Sequence, residues 1–154
     1  MRFSSLLIVA LLFSRAAFGA EPAPADLTGT WKLTAQQSKQ QLTRSAIATL
    51  TIARESTRFV FTDVAEYADG QTNESYSVTP DETEQAIPTG SISARWEGKV
   101  LVVRQRSSGG DLTETWRLKR TSTPDGMARE VVAIEHVRGK DILVFEREEL
   151  YRKQ

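Results

Sequence analysis

Short runs of alternating apolar and polar residues fill the chain from Leu27 onward. These runs are rich in valine, isoleucine, threonine and aromatic residues, and turn residues interrupt them about every ten positions. A period of two with frequent turns is typical of β-strands. The pattern predicts nine strands, near residues 28–34, 47–55, 58–65, 73–79, 90–97, 99–106, 112–120, 127–137 and 141–151. Because the links are short, we expect an all-β, antiparallel, up-and-down meander.

Glycine-containing turns are expected to set the register of this meander. The segment Trp96-Glu97-Gly98-Lys99 predicts a tight hairpin in which Gly98 has a positive φ, and Pro124-Asp125-Gly126 predicts a second turn that uses glycine in the same way. A two-residue turn at Glu97 and Gly98 pairs Trp96 with Lys99. One apolar face then forms, from Ile92, Ala94, Trp96, Leu101 and Val103.

The later strands alternate in the same way and predict which side chains point inward. The predicted inward residues are Leu112, Trp116, Leu118, Val132, Ile134, His136, Leu143 and Phe145. Glu114 shares the face of Leu112 and Trp116, which makes it an unusual acidic residue on an apolar face.

Two segments lack the strand pattern. Residues 35–46 are rich in glutamine and other good helix formers, so they predict a short helical turn or a polar loop after the first strand. Residues 80–89 contain three acidic residues and two prolines, which predicts a solvated loop.

The N-terminus has the features of a cleavable secretory signal peptide. An apolar run, Leu6 to Phe13, follows Arg2 and precedes small residues that predict cleavage after Gly19 or Ala20. The run is too short to cross a membrane as a helix. We therefore expect a signal peptide at 1–20, a disordered proline-containing spacer at 21–26, one domain at 27–154, and a secreted or periplasmic product without a transmembrane segment.

Composition excludes several classes of function. The chain has no cysteine, one histidine, and 20 basic and 20 acidic side chains. These counts exclude disulfides, thiolate chemistry and a multi-histidine metal site, and balanced charge offers no broad basic face for nucleic acid. We find no nucleophile elbow, phosphate loop or metalloprotease motif. The sequence therefore predicts no catalytic residue, metal or cofactor.

The residues Leu27-Thr28-Gly29-Thr30-Trp31-Lys32-Leu33, followed by a meander, resemble the first strand of the calycin superfamily, which includes lipocalins and fatty-acid-binding proteins. With Ala94 to Lys99, Thr113 to Trp116 and Leu150 to Arg152, the chain looks like a group of exported bacterial lipocalin-like proteins. The resemblance implies a closed barrel of about eight to ten strands. It also implies that Trp31, after Gly29, closes one end against a basic residue of the last strand, either Arg152 or Arg147. The Arg-x-Tyr pair of fatty-acid-binding proteins is missing.

A barrel of this size either fills with side chains or holds one small molecule. The aromatic and acidic candidates to line such a space are Phe59, Phe61, Tyr76, Trp96, Trp116 and Glu114, although core packing is the better explanation of the aromatic residues. Arg95, Arg104 or Arg117 would add a polar anchor if it pointed inward.

Three hypotheses of function remain. The one we favour is non-covalent binding of a small hydrophobic or amphipathic molecule. The alternatives are a packed barrel that serves as a protein-interaction or envelope-structural module, with an unknown protein partner, and an enzyme in which His136 is the only imidazole base.

Overall fold

The structure, a computed structural model, describes residues 25–38 and 47–154. The predicted signal peptide, residues 21–24 of the predicted spacer, and residues 39–46 lie outside these ranges. Of the last two spacer residues, Ala25 packs against the core, and the exposed Asp26 carboxylate accepts hydrogen bonds from the backbone and hydroxyl of Thr28.

The described residues form ten antiparallel strands, which confirms the predicted all-β meander. The strands are β1 (Gly29–Ser38), β2 (Ile47–Glu55), β3 (Arg58–Tyr67), β4 (Gly70–Val78), β5 (Gln85–Ile87), β6 (Gly90–Glu97), β7 (Val100–Ser107), β8 (Leu112–Arg120), β9 (Gly126–Val137) and β10 (Lys140–Lys153). Consecutive strands pair with each other, except that β4 does not pair with β5, and β1 also pairs with β10. This pairing of the first and last strands produces a nearly closed barrel.

The two segments that seemed unlike strands contain strand residues. Ala35–Ser38 were expected in a helical turn or loop, but they continue β1 because β10 extends far enough to pair with them. The predicted loop at 80–89 contains β5, in which Ile87 packs against the core. Only three residues long, β5 is too short for its alternation to be visible in the sequence.

The β6–β7 hairpin has the predicted inward face but a different register. Trp96 pairs with Leu101, not with Lys99, because the turn consists of Gly98 and Lys99. A shift of two residues preserves the faces of both strands. Gly98 has φ 59°, as predicted. Gly126 does not have a positive φ; a Cβ there would lie 2.0 Å from Thr121 Oγ1, so glycine is needed for space.

In β9 the predicted inward face was wrong. Trp116 pairs with Val131, so the inward residues are Met127, Arg129, Val131 and Ala133, while Val132, Ile134 and His136 face outward. In β10 a bulge at Val144 separates Leu143 from Phe145: Phe145 packs against the core, whereas Leu143 is 47% exposed. The bulge interrupts the alternation on which the prediction depended.

Candidate functional site

Trp31 lies in the core of the barrel, at the end where β1 begins. Its side chain is completely buried, and its indole Nε1 donates a 2.9 Å hydrogen bond to the carbonyl oxygen of Leu27. Two cations lie over the indole: the guanidinium carbon of Arg120 is 4.9 Å and the Nζ atom of Lys153 is 5.5 Å from a ring centroid. Cations at these distances are attracted to the face of the ring.

The cations over Trp31 are therefore not the predicted ones. Arg152 pairs with Lys32, on the opposite face of β10 from Lys153; its side chain is 70% exposed and lies 3.2 Å from Asp125. Arg147 lies in the middle of β10, beside Glu149. Gly29 has a φ of 133°, a backbone conformation that L side chains rarely adopt. A Cβ there would also lie 2.6 Å from Cε of Lys153, so the lysine side chain would have to shift.

The predicted aromatic residues meet in one connected cluster inside the barrel. Neighbouring ring centroids are 5.3–6.5 Å apart along the series Trp96, Phe59, Phe61, Trp116 and Tyr76. Phe59, Phe61 and Trp116 are buried, while Tyr76 and Trp96 are half-buried. The rings contact one another edge-on or tilted, an arrangement that packs an interior efficiently.

Glu114 lies at the edge of this aromatic cluster, as its inward position predicted. It accepts a hydrogen bond from the indole nitrogen of Trp116, and Glu74 accepts one from the hydroxyl of Tyr76. Burial, together with the acceptor Glu74 and the nearby acids Glu114 and Asp63, raises the pKa of the Tyr76 phenol above its usual value. The phenol is therefore protonated at neutral pH, and it donates its hydrogen bond to Glu74.

A buried ionic network occupies the inner face next to Trp116. Its centre is Arg129, whose side chain is 6% exposed: Nε donates to Glu149 over 2.6 Å, and Nη1 donates to Asp63 over 2.7 Å. The Tyr151 hydroxyl donates to Glu149 over 2.8 Å. Nε of Arg147 also lies 2.7 Å from Glu149, without hydrogen-bond geometry. The sequence pattern did not predict this network, because the opposite face of β9 was expected to point inward.

The network determines the protonation of its members. Burial alone would raise the pKa of Glu149, but the charges of Arg129 and Arg147 and the hydrogen bonds to it outweigh burial, so that pKa lies below its usual value. Burial raises the pKa of Tyr151. Glu149 is thus a carboxylate and Tyr151 a neutral phenol at neutral pH.

A cavity of about 560 Å³ opens beside the network, toward the end of the barrel opposite Trp31. Arg129, Arg147, Asp63, Glu74 and Glu149 contribute its charged wall, and Leu33, Ala48 and Ala65 its apolar wall. Glu74 also borders a smaller space of about 260 Å³ that Tyr76 and Glu114 line. At the end near Trp31, Phe59 and Trp96 border a separate cleft of about 710 Å³.

The basic residues suggested as polar anchors lie outside the barrel. Arg95 and Arg117 both bind the carboxylate of Glu97, at 2.5 and 2.8 Å, and Arg104 is exposed on the same outer face. Their positions follow the period of two along β6 to β8.

His136 lies on the outer surface, between two side chains. Nδ1 is 2.7 Å from the Asp141 carboxylate and Nε2 is 2.9 Å from the Thr113 hydroxyl. These contacts connect β8, β9 and β10 at the rim, and they place the imidazole outside the cavity described above.

Among residues 25–38 and 47–154, no group of three or more histidine, aspartate or glutamate side chains is arranged to hold a metal ion. Within the same residues, no helix has the length and apolar character that a membrane crossing requires.

Comparison with known proteins was informative at the level of structure. No family model and no curated protein matches the sequence. The structure is similar to a REP1-NXSQ fatty acid transporter, with 14% identity, a TM-score of 0.56 and coverage of 84% of this chain and 96% of that one. It is also similar to a secretory abundant heat soluble protein from Ramazzottius varieornatus (11% identity, TM-score 0.58, 88% and 100% coverage) and to human cRBP IV (12%, 0.52, 85% and 100%).

At sequence identities this low, the structural similarity establishes the fold alone. That fold is the ten-stranded antiparallel barrel with its first and last strands paired, and the resemblance at Gly29-x-Trp31 predicted it. The chain has the calycin barrel fold.

Proposed function

We propose that this protein is an exported carrier that binds a small, partly apolar molecule non-covalently inside its barrel. The observation that carries the proposal is the cavity of about 560 Å³ beside Arg129 and Glu149. Its volume lies within the range of about 300–1,000 Å³ that small-molecule sites occupy.

The buried network supports a role in recognition. Removing two charged groups from water is costly, and apolar side chains of similar size would stabilise a core at least as well. Arg129 and Glu149 nevertheless occupy the inner face where the cavity begins. A few polar groups on a largely preformed concave wall are what a binding site needs to orient its ligand.

Similar structures add support of a second kind. One is named as a fatty acid transporter, and another as a fatty-acid-binding protein from Echinococcus granulosus, with 12% identity, a TM-score of 0.52 and coverage of 82% of this chain and 96% of that one. Proteins named for transport or binding of fatty acids therefore have barrels of this shape, and we infer that this barrel also binds a small, partly apolar molecule.

Fluorescence titration tests binding directly. The purified mature protein is titrated with fatty acids, fatty amines and retinoids while tryptophan emission is followed. Trp116 should report occupancy because it contacts Arg129, a residue of the cavity wall, with 5.6 Å between the guanidinium carbon and the ring. We expect a saturable change that Trp116→Phe reduces and Trp31→Phe preserves. Absence of any saturable ligand, together with a native mass spectrum that shows no bound molecule, would contradict the proposal.

Export is tested separately. N-terminal sequencing of protein recovered from the medium or the periplasmic fraction should begin at Ala20 or Glu21, the residues that follow the two predicted cleavage sites. A product that retains Met1 and remains in the cytosolic fraction would refute export without affecting the binding proposal.

One observation favours the interaction module as a second candidate. The β9–β10 hairpin exposes Val137, Ile142, Leu143 and Val144, each between 37% and 48%. Neighbouring exposed apolar residues mark many protein contacts. An Ile142→Ser, Leu143→Ser double variant that loses a pulled-down partner but retains ligand binding would support this second function.

A further inference from the structure

The charges on the described part of the cavity wall are unequal in number. Beside the Arg129 network, the described lining has three carboxylates (Asp63, Glu74 and Glu149) and two guanidiniums (Arg129 and Arg147). In a partly enclosed space, charges act on one another more strongly than they do at an open surface. This part of the wall therefore carries an excess of negative charge.

Both guanidiniums already have carboxylate partners from the protein itself. Arg129 donates to Glu149 and to Asp63, at 2.6 and 2.7 Å, and Arg147 lies 2.7 Å from Glu149. A ligand carboxylate would have to displace one of these acids and leave it buried without a counter-charge, or lie beside it as a like charge. Either arrangement is unfavourable.

Glu74 provides the opposite opportunity. Glu74 is exposed, and it borders both the cavity of about 560 Å³ and the space of about 260 Å³. Its hydrogen bond comes from the neutral Tyr76 phenol rather than from a cation. A carboxylate in this setting is a good acceptor for an ammonium group. Leu33, Ala48 and Ala65, on the same cavity wall, offer apolar contacts for a hydrocarbon chain.

We propose, building on the function proposed above, that the cavity selects an amphiphile with a protonated amine head and rejects the free carboxylic acid of the same length. Asp63 and Glu149 exclude the acid by occupying Arg129, and Glu74 receives the ammonium.

Three ten-carbon ligands test this preference: decylamine, decanol and decanoate. Each is titrated calorimetrically at pH 7 and one ionic strength, where the amine is protonated and the acid ionised. We expect decylamine to bind at least about tenfold more tightly than decanoate, with decanol between them. Raising the salt concentration should reduce the difference, because it screens charge.

Two matched variants locate the effect. Glu74→Gln removes the carboxylate that borders both cavities, whereas Glu66→Gln removes an exposed carboxylate from the outer face of β3. We expect Glu74→Gln to weaken decylamine binding about fivefold or more and decanol binding much less, while Glu66→Gln has little effect on either ligand. Both positions are exposed, so neither substitution should prevent folding.

The outcomes separate the two proposals. If decanoate binds as tightly as decylamine, or if both variants change amine binding equally, the charge preference is refuted and the binding function stands. If none of the three ligands binds the folded protein, the charge preference fails, and the wider titration with the native mass spectrum described above decides the binding function.

Discussion

Gly98 shows how one residue fixes a hairpin. Its φ of 59° lies in the left-handed region, and a Cβ at this position would meet no atom within 4 Å. A side chain there is thus opposed by backbone conformation and not by space. We expect Gly98→Val to lower the free energy of unfolding by about 1 kcal/mol or more, measured by urea denaturation.

Gly98→Asn is the matched control, because asparagine tolerates the left-handed region better than a β-branched residue does. It should cost clearly less than Gly98→Val. Equal losses for the two variants would show that the turn does not depend on the conformation of this residue.

Lys153 and Arg152 are adjacent, but only one of them contacts Trp31. Lys153 lies over the indole, whereas Arg152 points to solvent. We expect Lys153→Met to lose about 0.5–1 kcal/mol of stability, the usual contribution of a cation over an aromatic ring, and Arg152→Met to lose close to nothing. Thermal unfolding of the two variants measures the difference. A larger loss for Arg152→Met would restore the partner that the sequence resemblance implied.

At the scale of elements, the bulge in β10 decides which apolar side chains enter the barrel. Phe145 packs against the core, while Leu143, two residues earlier, is 47% exposed. We expect Phe145→Ala to destabilise the protein by about 1–3 kcal/mol and Leu143→Ala by less than about 0.5 kcal/mol. Urea midpoints of both variants test the assignment. If the two losses were equal, the strand would alternate without a bulge.

The sequence predicted strand positions well and strand faces less well. The expected strands alternate or end at turns that contain glycine, proline or aspartate, so their positions could be found from local signals. In β9 the run Val131-Val132-Ala133-Ile134 is apolar on both faces, and local alternation cannot decide which face is inside. Pairing decides it: Trp116 lies opposite Val131.

The residues of the candidate site were likewise predicted where the alternation of a strand is clear and missed where it is ambiguous. The aromatic candidates and Glu114 came from strands with clear alternation, and the structure brings all of them together. Arg129 came from the ambiguous strand, and its partner Asp63 is 66 residues away in the chain. A contact of that separation depends on closure of the barrel, which local patterns do not contain.

At the scale of the whole molecule, the Arg129 network crosses the barrel interior. Asp63 belongs to β3 and Arg129 to β9, and β2, β1 and β10 separate these strands in the sheet. The ion pair thus connects parts of the wall that share no backbone hydrogen bonds. Breaking a buried pair of this kind by removing one partner typically costs about 3–5 kcal/mol.

The network should make the stability of the barrel depend on pH. The pKa of Glu149 is lower in the folded protein than its ordinary value of 4.5, because Arg129 and Arg147 favour the charged form against the effect of burial. As pH falls below about 4.5, Glu149 becomes protonated in the unfolded chain but stays ionised in the folded protein. The free energy of unfolding therefore decreases until the pH has passed below the folded pKa. Above that window its contribution is complete.

We therefore expect Glu149→Gln to be less stable than the unmodified protein at pH 7 and to lose less stability between pH 5 and pH 3. Urea midpoints measured across this range give both quantities. Glu148→Gln is the matched control, because it removes the neighbouring carboxylate from the opposite face of β10 and should preserve the acid-dependent loss. A Glu149→Gln profile parallel to that of Glu148→Gln would show that the interior network does not couple protonation to folding.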